Sequence, residues 1–359
     1  HVAGTNGKGS TVAYLRAIYE AAGKRAHTYT SPHLVRYNER VVLAGQEVSD
    51  EQFASAIQRV RAHEHKHSIT LFERITAAAF LCFSEVKADV LILETGLGGQ
   101  WDATNTTPKI ATVLTPIAHD HMEFLGDNLA NIALEKASIM RRGVPSISAE
   151  QSPVVKKVIE ARAQYLGAPL YWAKHDESLK PSLIGQHQQD NASLAATVAR
   201  MLNLPEEAIY EGIAHAIWQG RLQKLTRGAV VEAWGSRGDV MLDGGHNPHA
   251  AEALVEWMKG QARPVTLACG MMKRKNALDW MNIIIPHVAE IICLPMADAG
   301  AYTPAELAEK ATQVGAAQVS TVASMAELAR VLRGKPVTDA HILIAGSLYL
   351  AGDILKSHG

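Results

Sequence analysis

The chain opens with His1-Val2-Ala3-Gly4-Thr5-Asn6-Gly7-Lys8-Gly9-Ser10, and this stretch decides how the rest is read. Three glycines, a lysine and a hydroxyl stand just ahead of an apolar-periodic run from Val12 to Ala22. That order is the grammar of a phosphate-binding loop that opens a helix. Glycines let backbone amides turn inward around an anion, and the helix N-terminus adds partial positive charge. Lys8 is then expected to reach the β/γ-phosphates, and Ser10 to face the phosphate or its metal. The general pattern G-x-x-x-x-G-K-[ST] is missed by one residue, because Gly9 separates Lys8 from Ser10. A plain glycine-rich turn before a helix is the alternative. A buried strand normally leads into such a loop, and only three residues do so here. The expectation is that the sequence starts inside a domain, with most of that strand outside it.

Length and composition bound the rest. A chain of 359 residues is long enough for about two domains. An apolar fraction of 47% with 20% charged residues is that of an ordinary soluble globular protein. The net charge of −1 gives no global field to recruit nucleic acid or an anionic membrane. Cys82, Cys269 and Cys293 are far apart in apolar strings and read as buried thiols of a reducing compartment, not a disulfide or zinc framework. No apolar run approaches a membrane span, and no signal peptide is visible. The expected location is the cytoplasm and the expected state a monomer.

Working outward from the loop, helices are expected over Ser10–Ala22, from Ser49 or Asp50 to Ala62, and over Phe72–Val86, Asn128–Arg142, Pro153–Leu166, Asn191–Leu202 and Pro205–Trp218. Strands are expected over Arg25–Thr30, Glu39–Ala44, Ala88–Glu94, Ile110–Leu114 and Val144–Ser148. Lys174–Pro181 reads as a polar surface loop. Gln219-Gly220-Arg221 breaks the pattern, so domains are placed at 1–219 and 220–359. Beyond it, strands at Val230–Ala233, Val240–Asp243, Val265–Cys269, Ile291–Leu294, Gln318–Thr321 and Ile342–Ala345 alternate with helices. The fold class is therefore α/β: a phosphate-loop domain with a mostly parallel sheet, followed by a smaller Rossmann-like α/β domain.

Ligands of open α/β sheets bind at the carboxyl ends of strands, and several chemistry-bearing residues fall there. Glu94 ends a buried strand, where an acid needs a partner such as Mg²⁺, or else caps the next loop. His119-Asp120-His121 follows another strand and suits ligation, phosphate contact or a plain polar loop. Ser31, in Thr30-Ser31-Pro32-His33, is a candidate hydroxyl or a turn former. Asp243-Gly244-Gly245-His246-Asn247-Pro248-His249 follows a strand and opens a helix, as a second nucleotide-facing loop or an ordinary turn. His63-Glu64-His65-Lys66-His67 reads as a solvated helix end in preference to a metal cluster. Gly96-Leu97-Gly98-Gly99 matches the dinucleotide pattern too poorly to be read as one.

Together these stretches resemble the folylpolyglutamate synthase/dihydrofolate synthase family, relatives of the Mur ligases. The resemblance is carried by GTNGKGS (4–10), TSPHLVRYNERV (30–41), ETGLGGQWDATN (94–105), IAHDHMEFLG (117–126), EKASIM (135–140), GQHQQDNA (185–192), GRLQ (220–223), DGGHNPHA (243–250) and GSLYLAG (346–352), in family order over nearly the whole chain. Gly9 is itself informative: the Mur ligases resemble GTNGKTT there, the folate ligases GTNGKG[ST].

The resemblance implies an ATP-dependent ligase that phosphorylates a carboxylate and lets L-glutamate attack the acyl phosphate, with dihydropteroate and folates as acceptors. It implies that Gly7, Lys8, Gly9 and Ser10 hold the ATP phosphates. It further assigns Asn191, Arg221, Asp243 and His246 to ATP, and Ser31, Glu94 and His121 to Mg²⁺. Lys136 matches a family lysine that is carbamylated; its residue type alone reads as an exposed helix lysine beside Glu135. Lys8, His121 and Lys136 are the expected catalytic residues. Thr70, Leu71, Phe72 and Glu73 with Trp101, Asp102 and Ala103 are the expected pterin contacts. Gln100 departs from the family, which often has arginine there, and the region between Trp172 and Gly185 is shorter than usual. A folylpolyglutamate synthase without dihydropteroate activity, and an ATP- or folate-binding protein that has lost catalysis, are the competing expectations.

Overall fold

The computed structural model describes residues 1–64, 68–335 and 340–356. The chain divides into two compact units, one of His1–Ser182 with His187–Trp218 and one of Leu183–Gln186 with Gln219–Gly359.

The first unit runs β1 (Val2–Ala3), α1 (Lys8–Ala21), β2 (Ala26–Tyr29), β3 (Val41–Leu43), β4 (Gln46–Glu47), α2 (Asp50–Arg61), α3 (Leu71–Glu85), β5 (Val90–Leu93), β6 (Thr112–Leu114), α4 (Met122–Leu125), α5 (Leu129–Ala137), β7 (Ser146–Ser148), α6 (Pro153–Leu166), β8 (Leu170–Trp172), α7 (Gln186–Met201) and α8 (Glu206–His215). Two four-stranded sheets, ordered β4-β3-β2-β5 and β1-β6-β7-β8, meet at Val2, which pairs with Val113 and also bridges Glu94 in parallel. From β2 through β5 and β1 to β8 every pairing is parallel, and β3 and β4 add an antiparallel edge. β1 is thus the central strand: the chain leaves it to one side for β2 and returns to its other side with β6. Ligands lodge at such a switch point, beyond the strand ends.

Local sequence explains the helices. Ser49 caps α2 by accepting from Gln52, and Thr70 caps α3 by accepting from Glu73, whose carboxylate returns the bond to the Thr70 amide. Each such box saves orphan amides at a helix start, worth about 1 kcal/mol. The apolar faces of α2 and α3 cover the β2–β5 sheet with Phe53, Ile75, Ala79 and Phe83, and α5 and α6 cover the other sheet with Ile132, Ala133, Val155 and Ile159.

The second unit runs β9 (Gln223–Leu225), α9 (Ala229–Trp234), β10 (Val240–Leu242), α10 (Pro248–Lys259), β11 (Val265–Cys269), α11 (Ala277–Ile284), β12 (Glu290–Cys293), α12 (Pro304–Gln313), β13 (Val319–Thr321), α13 (Met325–Gly334), β14 (His341–Ala345) and α14 (Leu348–Lys356). Its sheet is ordered β13-β12-β11-β14-β10-β9, parallel except for β9. Both units are α/β, as expected.

Several expectations need correction. Val230–Ala233 is not a strand but lies in α9. Val230, Ala233 and Trp234 recur at helical spacing and are buried, so the run makes one helix face instead of a pleat. The strand of that region is β9, whose Gln223 and Lys224 hid it. Glu39–Ala44 shortens to β3 behind a 3₁₀ turn over Tyr37–Arg40. α5 ends at Ala137, well short of Arg142, and α7 starts at Gln186, five residues early. The edge strand β8 was missed. All three cysteines are buried and unpaired. His63 bonds back to the Arg59 carbonyl and Glu64 pairs with Arg74, while His65, Lys66 and His67 lie outside the described residues. No helix among the described residues is long and apolar enough to cross a membrane.

Candidate functional site

The loop between β1 and α1 stands at the switch point. Its entry is held by the neighbouring strand's exit: the amide of Thr5 donates to the Pro116 carbonyl (2.9 Å), and the Thr5 hydroxyl exchanges bonds with Ala118 (2.9 and 3.0 Å). Gly7 takes φ +85° as the N-cap of α1, and a Cβ there would come within 2.3 Å of the Asn191 side-chain oxygen. Only glycine fits both demands. The first helical bond is from Thr11 to the Gly7 carbonyl (2.9 Å), so the amides of Lys8, Gly9 and Ser10 form the unpaired helix end that attracts anions.

Lys8 folds back over this end, its ammonium donating to the carbonyls of Gly4 (3.1 Å) and Thr5 (3.2 Å) and lying 4.0 Å from Glu94. Glu94 is 4% exposed at the tip of β5, and its other oxygen accepts from the Ser31 amide (3.1 Å) at the tip of β2. Three adjacent strand ends therefore deliver Ser31, Glu94 and the loop to one place. Beneath it, Gln188 donates to the Ser10 hydroxyl (3.3 Å) and accepts from Asn191 (3.1 Å). Ser10 is turned into the body of the unit: one residue along a helix is a rotation of about 100°, and Gly9 has displaced the hydroxyl by that step.

Lys136 is not the exposed lysine its residue type suggests. It is 5% exposed, in the last turn of α5, and donates to the same Gly4 carbonyl (2.9 Å) that Lys8 holds. Burial, then the neighbouring Lys8 charge, bring its amine down to about 7 from 10.5. Half of it is then a neutral nucleophile near pH 7.

His121 stands in the left-handed conformation at the head of α4, with Asp120 and Glu123 carboxylates at 3.9 and 3.8 Å. It follows the same β6 exit that holds Thr5.

Among the expected pterin residues, Thr70 and Glu73 are occupied as the α3 capping box. Phe72 packs its ring on Gly96 and lies 6.1 Å from the ring of Tyr29, and Leu71 is exposed. Asp102 collects the amides of Gly96 (2.8 Å), Leu97 (2.9 Å) and Thr104 (2.9 Å), which shapes the loop and starts a 3₁₀ turn at Ala103. Trp101 rides that loop 85% exposed.

Sequence reading missed what fastens this loop to α5. Glu135 accepts from the amides of Gly99 and Gln100 (3.3 and 3.0 Å). Arg141 donates to the carbonyls that end the helix, Ser138, Ile139 and Met140, and to Asn105. The glycines at 98 and 99 let this loop close on α5, since a Cβ on either would come within 3 Å of Glu135.

In the second unit, Arg221, Asp243 and His246 gather at the exit of β10. Both oxygens of buried Asp243 are taken, by the amides of Leu222 (2.8 Å) and Gly245 (2.6 Å), so this acid knits the 220–222 segment to the loop. His246 donates from Nδ1 to the Gly244 carbonyl (2.8 Å), which puts the lone pair of the neutral ring on Nε2. Asn247 caps α10, with Pro248 in its first turn as expected.

For a divalent cation the donors fit: Ser31 and Glu94 offer a hydroxyl and a carboxylate beside a phosphate loop, and Mg²⁺ is held by one or two carboxylates plus substrate phosphates.

Comparison with known proteins agrees with this geometry. Residues 2–164 match the Mur ligase middle domain and residues 220–348 the Mur ligase glutamate ligase domain. A dihydrofolate synthase/folylpolyglutamate synthase of Bacillus subtilis (strain 168) is 32% identical over 99% of this chain and 89% of its own length. Escherichia coli FolC in complex with DHPP and ADP superposes with a TM-score of 0.87 at 32% identity, covering 99% of this chain and 87% of that one. The bifunctional enzyme of Yersinia pestis with Mn, AMPPNP and L-glutamate bound gives a TM-score of 0.86 at 30% identity, with 99% and 88% covered. A phosphate loop walled by Ser31, Glu94 and Lys136, in a chain matched from end to end, leaves one conclusion: this chain belongs to the dihydrofolate synthase/folylpolyglutamate synthase family of the Mur ligases.

Proposed function

We propose that the chain is an ATP-dependent ligase that joins L-glutamate to dihydropteroate and to folates. The observation that carries this is the convergence of Lys8, Ser31, Glu94 and buried Lys136 on the loop after β1, in a chain whose relatives are named for that activity.

A carboxylate is a poor electrophile, and an amine forms only a salt with it. In the proposed reaction an acceptor carboxylate oxygen attacks the γ-phosphorus of ATP, the bond to the β-phosphate oxygen breaks, and ADP leaves. The glutamate amine, having lost a proton, attacks the acyl carbon; phosphate departs and an amide remains. The amides of Lys8, Gly9 and Ser10 and the Lys8 ammonium hold the phosphates and offset charge on the transferred group. Ser31 and Glu94 would hold Mg²⁺, with His121 from the β6 exit. That ion, when bound, supplies charge neutralisation and in-line orientation of the phosphates. A neutral amine is what adds CO₂, so the lowered value of Lys136 suits carbamylation, which would replace the amine by an anion beside the Lys8 ammonium. The family pattern assigns Asn191 of the first unit, and Arg221, Asp243 and His246 of the second, to ATP. The exposed Trp101 ring, with Phe72 and the loop that Asp102 shapes, offers a flat pterin its stacking surface. Domains at 1–219 and 220–359 complete the proposal.

The test is ADP release with L-glutamate and either dihydropteroate or tetrahydrofolate. Turnover with both is expected. Turnover with tetrahydrofolate alone leaves a folylpolyglutamate synthase, and ATP binding without ADP release from either acceptor overturns the ligase.

A further inference from the structure

Position 9 is where the general phosphate-loop pattern carries a hydroxyl side chain directly after the lysine. Here that space is filled. A Cβ built on Gly9 would meet the indole of Trp218 at 2.7 Å from Cζ2 and 2.8 Å from Cε2 and Nε1. Real Cβ atoms do not come so close, and Gly9 is buried under the ring while Trp218 itself is half-exposed.

Trp218 is brought there by two fixed contacts. α8 lies against α1 with backbone touching backbone, since a Cβ on Gly212 would stand 2.4 Å from the Ile18 nitrogen. The end of α8 is then tied down by Ser182, whose amide and hydroxyl donate to the Ile213 and Ala216 carbonyls. Only Ile217 lies between Ala216 and Trp218, so the indole lands on the first turn of α1.

We propose that Trp218 is a positioning residue of the phosphate loop. Its ring presses on the first turn of α1 at Gly9 and fixes the direction of the Lys8, Gly9 and Ser10 amides, and Gly9 is glycine in order to receive it. Any side chain at this position would have to displace the ring, and the contact accounts for the glycine there. The inference rests on the proposed reading of that loop as the ATP site.

A double-mutant cycle tests it on the full chain, with Gly9→Ala, Trp218→Ala and the double variant, read by AMPPNP·Mg²⁺ affinity and by ADP release. Gly9→Ala should bind AMPPNP at least tenfold more weakly, and Trp218→Ala about fivefold more weakly, with KM for ATP raised and kcat within about twofold. The double variant should bind like Trp218→Ala alone, because the obstacle to the new methyl group is gone. Losses that multiply in the double variant overturn the proposal. So does unchanged affinity in Trp218→Ala, which also decides the matter if Gly9→Ala does not fold. The binding cycle does not depend on the acceptor: parent chain that binds AMPPNP but releases no ADP counts against the ligase reading and leaves the Trp218 result standing.

Discussion

Replacing Lys136 with methionine should stabilise the protein while ending its activity. The side chain is buried, and its folded value of about 7 lies far below the unfolded 10.5. Between those values the unfolded chain binds a proton that the folded chain does not, so stability rises with pH across that window and is lowest at and below pH 7. Integrated, keeping this amine folded costs about 4 kcal/mol at pH 7 and about 2 kcal/mol at pH 9. Methionine has similar length and no charge, but it forfeits the neutral amine's bond to the Gly4 carbonyl, worth about 1 kcal/mol. The net expectation for Lys136→Met is a gain of about 3 kcal/mol at pH 7 that shrinks to about 1 kcal/mol near pH 9, or a rise of about 8 °C at pH 7 in the melting of the unit that carries it. Calorimetric melts of both proteins at pH 6, 7, 8 and 9 in CO₂-depleted buffer measure this. A variant that melts below the parent at pH 6 and 7, or whose advantage does not shrink toward pH 9, refutes the reasoning. In the Lys136→Ala variant, activity should be lost and partly restored by added short carboxylates, which take the place of a carbamate.

Lys8→Ala should bring ADP release to background, roughly a 10³-fold loss for removing a phosphate-facing cation, with far-UV circular dichroism unchanged. Retained turnover would contradict the phosphate-loop reading. Glu94→Gln keeps an acceptor for the Ser31 amide but removes the charge facing Lys8 and the cation. The Mg²⁺ concentration giving half-maximal rate should rise tenfold or more, and an unchanged Mg²⁺ titration would remove Glu94 from the metal site.

The parts of this site legible in sequence are those whose signal is local. The glycines and lysine of residues 4–10, the apolar strand ending in Glu94, and the Asp243–Pro248 turn each declare themselves within a few neighbours. What escaped is held together by contacts between distant residues. Nothing near Lys136 announces that it will be buried under Gly4, and nothing in Glu135 or Arg141 says that they fasten the loop around Trp101. Nor does the sequence show that both oxygens of Asp243 hold backbone amides, one of them that of Leu222, 21 residues away. β9 was invisible because an edge strand is free to carry Gln and Lys, and α9 was misread because a short run of Val and Ala fits either period.

The two residues of β1 have a consequence for how the first unit assembles. Their carbonyls and that of His1 protect the amides of Thr95, Val113 and Thr115, which belong to both sheets. Neither half of the unit can build the phosphate loop by itself, because its walls arrive with β5 and β6, a long stretch of chain later. Closing contacts across such separations is slow, and local helices do not wait for it. In pulse-labelled refolding, those three amides should gain protection together, and after the amides of α6; protection of Thr95 well ahead of Val113 would contradict this. A loop that reads as the most local feature of the sequence is thus among the last places in its unit to become structure.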